Sequence, residues 1–297
     1  MTASIRPRRS ALYVPGDNAR AIEKARGLAA DALIFDLEDA VTPLRKEEAR
    51  RQIVAALAAE SYGRRERIIR VNALDTQWGR DDLIAAAKSG ADAVLLPKVE
   101  SVDTVREAES ILATAGAPDS VAIWCMIETP RGVLRAEYIA DAGPRIACLV
   151  AGTVDLAKDL HASAAEDRLA LLPSLAHILL AARATGLVCL DSVYVDISDD
   201  DGFLRECRQG DLMGFDGKTL IHPKTIEVAN RIFAPSEIEI ETARRVIAAH
   251  DEAVAAGKSV AVVDGKLVEH LHVGAAQRLL DMAGQIALFV EEAGFSP

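Results

Sequence analysis

The chain has 297 residues, 50% of them hydrophobic and 27% charged, which suits one large core with an appendage. Its formal net charge of −11 argues against a nucleic-acid or anionic-membrane partner, although a local arginine or lysine still governs a small anionic ligand within a screening length of about 8 Å. The apolar runs fall short of the roughly 18 residues of a membrane span, no leader-type stretch follows the basic start, and the four cysteines lack zinc or disulfide spacing, so a reduced, cytoplasmic protein is expected.

The first strand is expected at Ala11–Val14, stopped by Pro15-Gly16, with Asp17 or Asn18 capping a helix to about Ala30. A second strand, Ala32–Leu37, precedes Thr42 as N-cap with Pro43 at the first helical position; Ile53, Val54 and Leu57 share one face of that helix. Strands three and four are Arg67–Val71 and Ala93–Leu96, on either side of a helical Asp82–Ser89, and Ser101–Ala115 is the next helix. Strand five is Val121–Ile127 and strand six Ile146–Val150. Leu169–Thr185 reads as a long apolar helix, strand seven falls in Val188–Val195, and strand eight is Thr219–Ile221.

These runs are apolar on both faces, as parallel strands beneath helices require. An α/β fold follows, with residues 1–235 forming a (β/α)₈ TIM barrel. The competing open, doubly wound sheet normally carries a glycine-rich turn after its first strand, where this chain has only Pro15-Gly16-Asp17. Residues 236–297 read as a C-terminal helix–hairpin–helix extension. Ser236 and Glu239 have capping-box spacing before a helix to about Ala256. A hairpin turns on Asp264-Gly265 between Ser259–Val263 and Lys266–Val268, and an amphipathic helix runs from about Val273 to Glu291. Such an extension has no core of its own and must pack on the barrel or a neighbouring subunit, so an oligomer is expected.

Five strands end in polar groups: Asp36, Glu38 and Asp39; Arg70 and Asn72; Lys98 and Glu100; Glu128; and Asp155. In a parallel barrel those tips converge on one face, where active sites lie. Glu128 and Asp155, on neighbouring strands, would be mutually repulsive unless one is protonated or a cation sits between them; magnesium, which takes one or two protein carboxylates, fits. The bland alternative is that each caps the helix after it. Arg70 suits bidentate capture of a small oxo acid, or else pairs with the Asp36–Glu38–Asp39 cluster. Lys98, among so many carboxylates, is expected to stay protonated and to act electrostatically rather than as a Schiff-base nucleophile. His222, followed by Pro223, reads as a packed, hydrogen-bonded residue more than as a base.

The segments RSALYVPGD, IFDLEDAV, IIRVN, LLPKVE, IETPRGV, GTVDLAKDL and GFDGKTLIHPKTI resemble, in that order, the citrate lyase β-subunit/malyl-CoA lyase (CitE-like) family of the HpcH/HpaI aldolase superfamily. The resemblance spans about Arg9 to Ile247. It implies a barrel enzyme, commonly a homotrimer or a hexamer of trimers, that uses Mg²⁺ to cleave or form a carbon–carbon bond in a hydroxyacyl-CoA thioester. By that resemblance Glu128 and Asp155 match the metal ligands, with Glu128 also beside the substrate. Arg70 matches the arginine that binds the substrate carboxylate. Asp36, Glu38, Asp39 and Lys98 match the catalytic rim, and Tyr13, Pro15, Gly16, Arg20 and Lys24 lie near the CoA entrance. Where the family pattern has an Asp followed two residues later by Pro after the hairpin, reaching a neighbour's site, this chain has Glu269-His270-Leu271, a longer carboxylate on a less rigid backbone.

The leading expectation is therefore an Mg²⁺-dependent lyase of a malyl- or citramalyl-CoA type thioester. Alternatives are a citrate lyase β subunit acting on an acyl-carrier-protein thioester, and hydrolysis of the thioester. A class II aldolase ranks lower, because no histidine occurs between Met1 and Leu160. A metal-binding regulatory or assembly subunit without turnover is the non-enzymatic alternative.

Overall fold

The computed structural model describes residues 6–59, 61–163 and 167–293. Eight parallel strands form a closed barrel in sequence order: β1 (Ser10–Pro15), β2 (Ala32–Asp36), β3 (Glu66–Arg70), β4 (Ala93–Leu96), β5 (Ala122–Ile127), β6 (Ile146–Ala151), β7 (Val188–Asp191) and β8 (Gly217–Leu220), with β8 pairing back onto β1. The expected barrel is present. Between the strands run α1 (Ala19–Ala25), α2 (Lys46–Ala59), α3 (Gly79–Ala87), α4 (Val102–Thr114), α5 (Pro130–Leu134), α6 (Ala136–Ala140), α7 (Thr153–Asp159), α8 (Leu172–Ala184) and α9 (Asp200–Met213), and α10 (Ile226–Ile232) follows β8. No helix of the described residues is long and apolar enough to cross a membrane.

Side chains divide by strand parity. Ile34, Ile68, Leu95, Trp124, Met126 and Leu190 pack with their neighbours inside the barrel, whereas Leu33, Phe35, Ile69, Cys125 and Leu149 join the larger cluster under the helices. At the end of the barrel where the strands begin, Arg8 makes a bidentate pair with Glu66 at 2.6 and 2.7 Å and stacks on Trp124, its guanidinium 5.0 Å from the ring centroid.

Local chemistry sets the helix starts. Asn18 caps α1, Ser101 caps α4 and Asp199 caps α9, each through its side-chain oxygen. The expected first helix ends early, at Ala25 rather than Ala30, just ahead of Gly27. Strand seven falls within the expected Val188–Val195, and its last residue, Asp191, enters an ionic network on the outer side of the barrel wall. There its carboxylate meets Lys218 Nζ at 3.0 Å and Arg168 Nη1 at 2.8 Å, and Lys218 also meets Glu206 of α9 at 2.6 Å. Burial disfavours the Asp191 anion, but the two cations override it and hold its pKa below the ordinary value.

The chain divides into two compact units, Arg8–Phe233 and a second built mainly from Ala234 onward. In the second unit α11 (Glu237–Ala255) starts with the expected capping box of Ser236 and Glu239. A hairpin of β9 (Ala261–Val263) and β10 (Lys266–Val268) turns on Asp264 and Gly265, both at positive φ as a two-residue turn needs, and Arg245 of α11 grips Asp264 at 2.7 and 2.8 Å. The final helix, α12 (His270–Ala293), packs on α11.

The Lys218 ammonium is fully buried, so Lys218→Met leaves Asp191 and Glu206 short of their shared cation. The expected result is a loss of about 3–5 kcal/mol of unfolding free energy, read as a lower urea midpoint.

Candidate active site

Continuing the inward alternation past the strand ends places charged groups over the barrel axis. Ile34 leads to Asp36, Ile68 to Arg70, Met126 to Glu128 and Leu190 to Ser192. The result is a pocket of about 400 Å³ whose lining includes the ionisable Tyr13, Asp36, Asp39, Arg70, Glu128 and Asp155 and the hydroxyls of Thr153, Ser192 and Thr219. Both carboxylates of the expected pair thus face one cavity.

Asp36 and Arg70 form its most ordered contact. Arg70 Nε and Nη2 donate to the two oxygens of Asp36 at 2.7 and 2.6 Å. The same carboxylate accepts the N–H groups of Glu38 at 2.8 Å and Ala40 at 3.0 Å, so its lone pairs are filled. Arg70 Nη1 lies 3.0 Å from Glu38 Oε2 as an ion pair and 3.7 Å from Asp39, and its guanidinium stacks on Tyr13 at 4.6 Å. The bidentate partner of Arg70 is therefore Asp36, which leaves the Nη1 edge beside Glu38 and Asp39.

Lys98 joins the other carboxylates. Its backbone adopts φ 49°, in the left-handed region that side-chain-bearing residues seldom occupy. This turn aims its N–H at Glu128 Oε1 (2.8 Å) while its ammonium reaches Glu38 Oε1 (2.8 Å) and lies 3.8 Å from Asp155. Burial weakens the ammonium, but the Glu38 hydrogen bond and the surrounding carboxylates outweigh it and raise its pKa, so it stays charged as expected.

Neither metal-ligand candidate caps a helix. Thr129, not Glu128, caps α5, its hydroxyl accepting from Gly132 N at 3.0 Å. Asp155 lies in the first turn of α7 rather than at the tip of β6, where the sequence reading put it. Burial first, then the charges of Glu38 and Asp155, push Glu128 up to about 7 against the opposing Lys98 N–H. Two carboxylates that raise one another's free energy inside a cavity fit a hard divalent cation, with remaining positions left for water and ligand. No group of three or more metal-binding side chains occurs among the described residues, so the protein offers a pair.

The residues expected near the cofactor entrance separate. Tyr13 and Pro15 line the pocket, whereas Arg20 and Lys24 are exposed on α1 and are not part of that lining. Gly16 has a packing reason: a Cβ there would sit 2.5 Å from Asp36 O and 2.7 Å from Ile53 Cδ1. Glu269 lies between β10 and α12 in the second unit, its N–H donating to His272 Nδ1 at 3.0 Å. His222 accepts the Lys224 N–H at 3.1 Å, so it is hydrogen-bonded as expected, but it is exposed rather than packed.

Some supporting groups went unrecognised in the sequence, and others were named without their role. Lys46, not singled out, holds Leu37 O and Glu38 O through Nζ at 2.8 and 2.7 Å, and Asn72, noted only as a strand-tip group, holds Leu37 O at 3.0 Å, together fixing the acidic loop after β2. At Gly152 a Cβ would meet Glu128 Oε2 at 2.8 Å, so only glycine leaves that carboxylate its place. Thr153 and Ser192 are hydrogen-bonded to each other through their hydroxyls. The GTVD segment already carried the glycine and threonine; only their contacts were missing.

A family model described as HpcH/HpaI aldolase/citrate lyase matches residues 9–223. A (3S)-malyl-CoA thioesterase of Cereibacter sphaeroides is 52% identical over 289 residues, covering 97% of this chain and 99% of the relative. The citrate lyase subunit beta of Escherichia coli is 38% identical, covering 94% of each. Among solved structures, protein CitE from Mycobacterium tuberculosis in complex with magnesium, acetoacetate and coenzyme A superposes with a TM-score of 0.75 at 31% identity, over 96% of this chain and 100% of that one.

A cation must displace the proton that Glu128 holds near neutrality, so its affinity rises with pH through about 7. The sign for stability is opposite: the raised pKa stabilises the cation-free fold below the ordinary value of 4.5, and that contribution is lost as pH climbs through about 7. Titration calorimetry with Mg²⁺ should show binding about tenfold weaker at pH 6 than at pH 8. Glu128→Gln should remove the difference along with most of the affinity. Equal affinity at both pH values would remove Glu128 from the ligand set.

Proposed function

The chain belongs to the HpcH/HpaI aldolase/citrate lyase family of enzymes, and from that premise we propose that it hydrolyses a malyl-CoA-type thioester in the presence of Mg²⁺. The observation that carries the reading is 52% identity to a (3S)-malyl-CoA thioesterase over nearly the whole chain, joined to a pocket that both Glu128 and Asp155 line. Carbon–carbon cleavage, ranked first from the sequence, becomes the second reading. It is supported by the 38% identity to a citrate lyase β subunit and by the shared site.

Glu128 and Asp155 are the proposed Mg²⁺ ligands. The chemistry that bound Mg²⁺ supplies is Lewis-acid polarisation of the acid's oxygens. Arg70, its other edge locked by Asp36, presents Nη1 to the acid's carboxylate. With Asp36 saturated and two carboxylates given to the metal, Asp39 is the lining carboxylate left to take a proton. In hydrolysis that proton comes from water: the water oxygen bonds to the thioester carbon, the carbon–sulfur bond breaks, and the proton passes on to the leaving thiolate, giving CoA thiol and malate. In the lyase path the proton comes from the 2-hydroxyl, the bond between C2 and C3 breaks, and the proton is returned to C3 of the thioester enolate, giving glyoxylate and acetyl-CoA. One base serves both, so the placement of water decides the outcome.

Glu269, carried on the second unit, is proposed as a carboxylate that a neighbouring copy brings to this mouth in a homotrimeric assembly. The exposed Arg20 and Lys24 of α1 are proposed to meet the phosphates of CoA.

Mass spectrometry of the products of (3S)-malyl-CoA with Mg²⁺ tests the reading: malate and free CoA are expected, and glyoxylate with acetyl-CoA would transfer the assignment to the lyase. If neither pair forms, the thioester reading fails. Asp39→Asn should lower kcat by about 10²–10⁴-fold, with Glu269→Gln costing less; the reverse order would make Glu269 the base.

A further inference from the structure

The Tyr13 hydroxyl is fully enclosed and has no hydrogen-bond partner, although the residue lines the pocket and its ring is fixed beneath the Arg70 guanidinium. An enclosed phenol without a partner is unfavourable by about 1–3 kcal/mol and calls for an acceptor supplied from outside the protein. The other side-chain donors among the described lining residues already have protein partners. Arg70 gives Nε and Nη2 to Asp36 and keeps only its Nη1 edge, beside Glu38, for an acid; Thr153 and Ser192 bond to each other, and Thr219 donates to Asp191 O at 3.1 Å.

The lining also carries four carboxylates, Asp36, Asp39, Glu128 and Asp155, against the single guanidinium of Arg70. An acid entering such a pocket meets an excess of acceptors, so an unengaged donor is what it lacks. Burial first, with Asp36, Glu128 and Glu38 adding to it against Arg70, raises the pKa of Tyr13 and keeps its proton in place.

We propose that Tyr13 is a substrate-contacting residue at the reacting end of the pocket, its hydroxyl donating to an oxygen of a bound 2-oxo or 2-hydroxy acid. This moves Tyr13 from the cofactor entrance, where the sequence resemblance had put it, to the acid itself. The inference rests on the proposed acid-binding function of the same site.

Tyr13→Phe keeps the ring and its stacking on Arg70 while removing only the hydroxyl. Two measurements on the full chain test it: thermal unfolding without ligand, and calorimetric binding of oxaloacetate and of pyruvate in saturating Mg²⁺. The expected results are an unfolding temperature equal to or above that of the wild type, because an unpaired hydroxyl is gone, and about tenfold weaker binding of at least one acid. If the wild type binds an acid and Tyr13→Phe binds it equally well, this proposal fails while the site reading stands. If Tyr13→Phe is less stable without ligand, the hydroxyl has an internal partner and the proposal fails as well. If the wild type binds neither acid, the acid-pocket reading falls and takes this proposal with it.

Discussion

The bidentate pair between Arg70 and Asp36 is the constraint on which the pocket is built. It ties the tips of the neighbouring strands β2 and β3 at the barrel mouth, and the two N–H groups that Asp36 accepts set the course of the loop carrying Glu38 and Asp39. Lys46 and Asn72 grip the carbonyls of that loop from behind. With its carboxylate already saturated, Asp36 has no acceptor capacity to offer a ligand, and Arg70 is held rigidly with one edge toward the cavity. Rigidity of this kind is what positioning a small reacting acid demands, since small misplacements lose large factors in rate.

Charge balance explains the remainder. Glu38 lies between Arg70 at 3.0 Å and the Lys98 ammonium at 2.8 Å. Its pKa is nonetheless raised, because burial outweighs both cations. Glu128 is raised further, with only a backbone N–H and the more distant Lys98 ammonium to oppose burial. A site left with surplus negative charge is what the proposed divalent cation would balance. The opposite outcome is seen at Asp191, where Lys218 and Arg168 meet the charge fully and the group becomes structural.

Much of this was legible in the residue order. Runs apolar on both faces gave the barrel, and the polar groups at the strand tips gave Asp36, Arg70, Glu128 and Asp155. For Asp155 the placement differed: the chain has already entered α7 when it appears, so it lines the pocket from a helix rather than from a strand tip. Lys98 was recognisable as a cation among acids. That its backbone turns left-handed and binds Glu128 through its N–H was not, because nothing in the residue type prefers that conformation.

The sequence by itself determined the closed parallel barrel, the strand ends that bear charge, and the acidic pair suited to magnesium, because hydrophobic periodicity and residue type are local properties of the chain. The tertiary structure alone decided which charges satisfy one another. Arg70 could have faced a ligand with its whole fork, and only the packing of β2 against β3 gave that fork to Asp36. Tyr13 could have stood at the rim, and only its stacking under Arg70 left its hydroxyl enclosed and unpaired in a residue that lines the pocket. Pairing across the barrel depends on distances between residues remote in sequence, and those distances exist only once the sheet has closed.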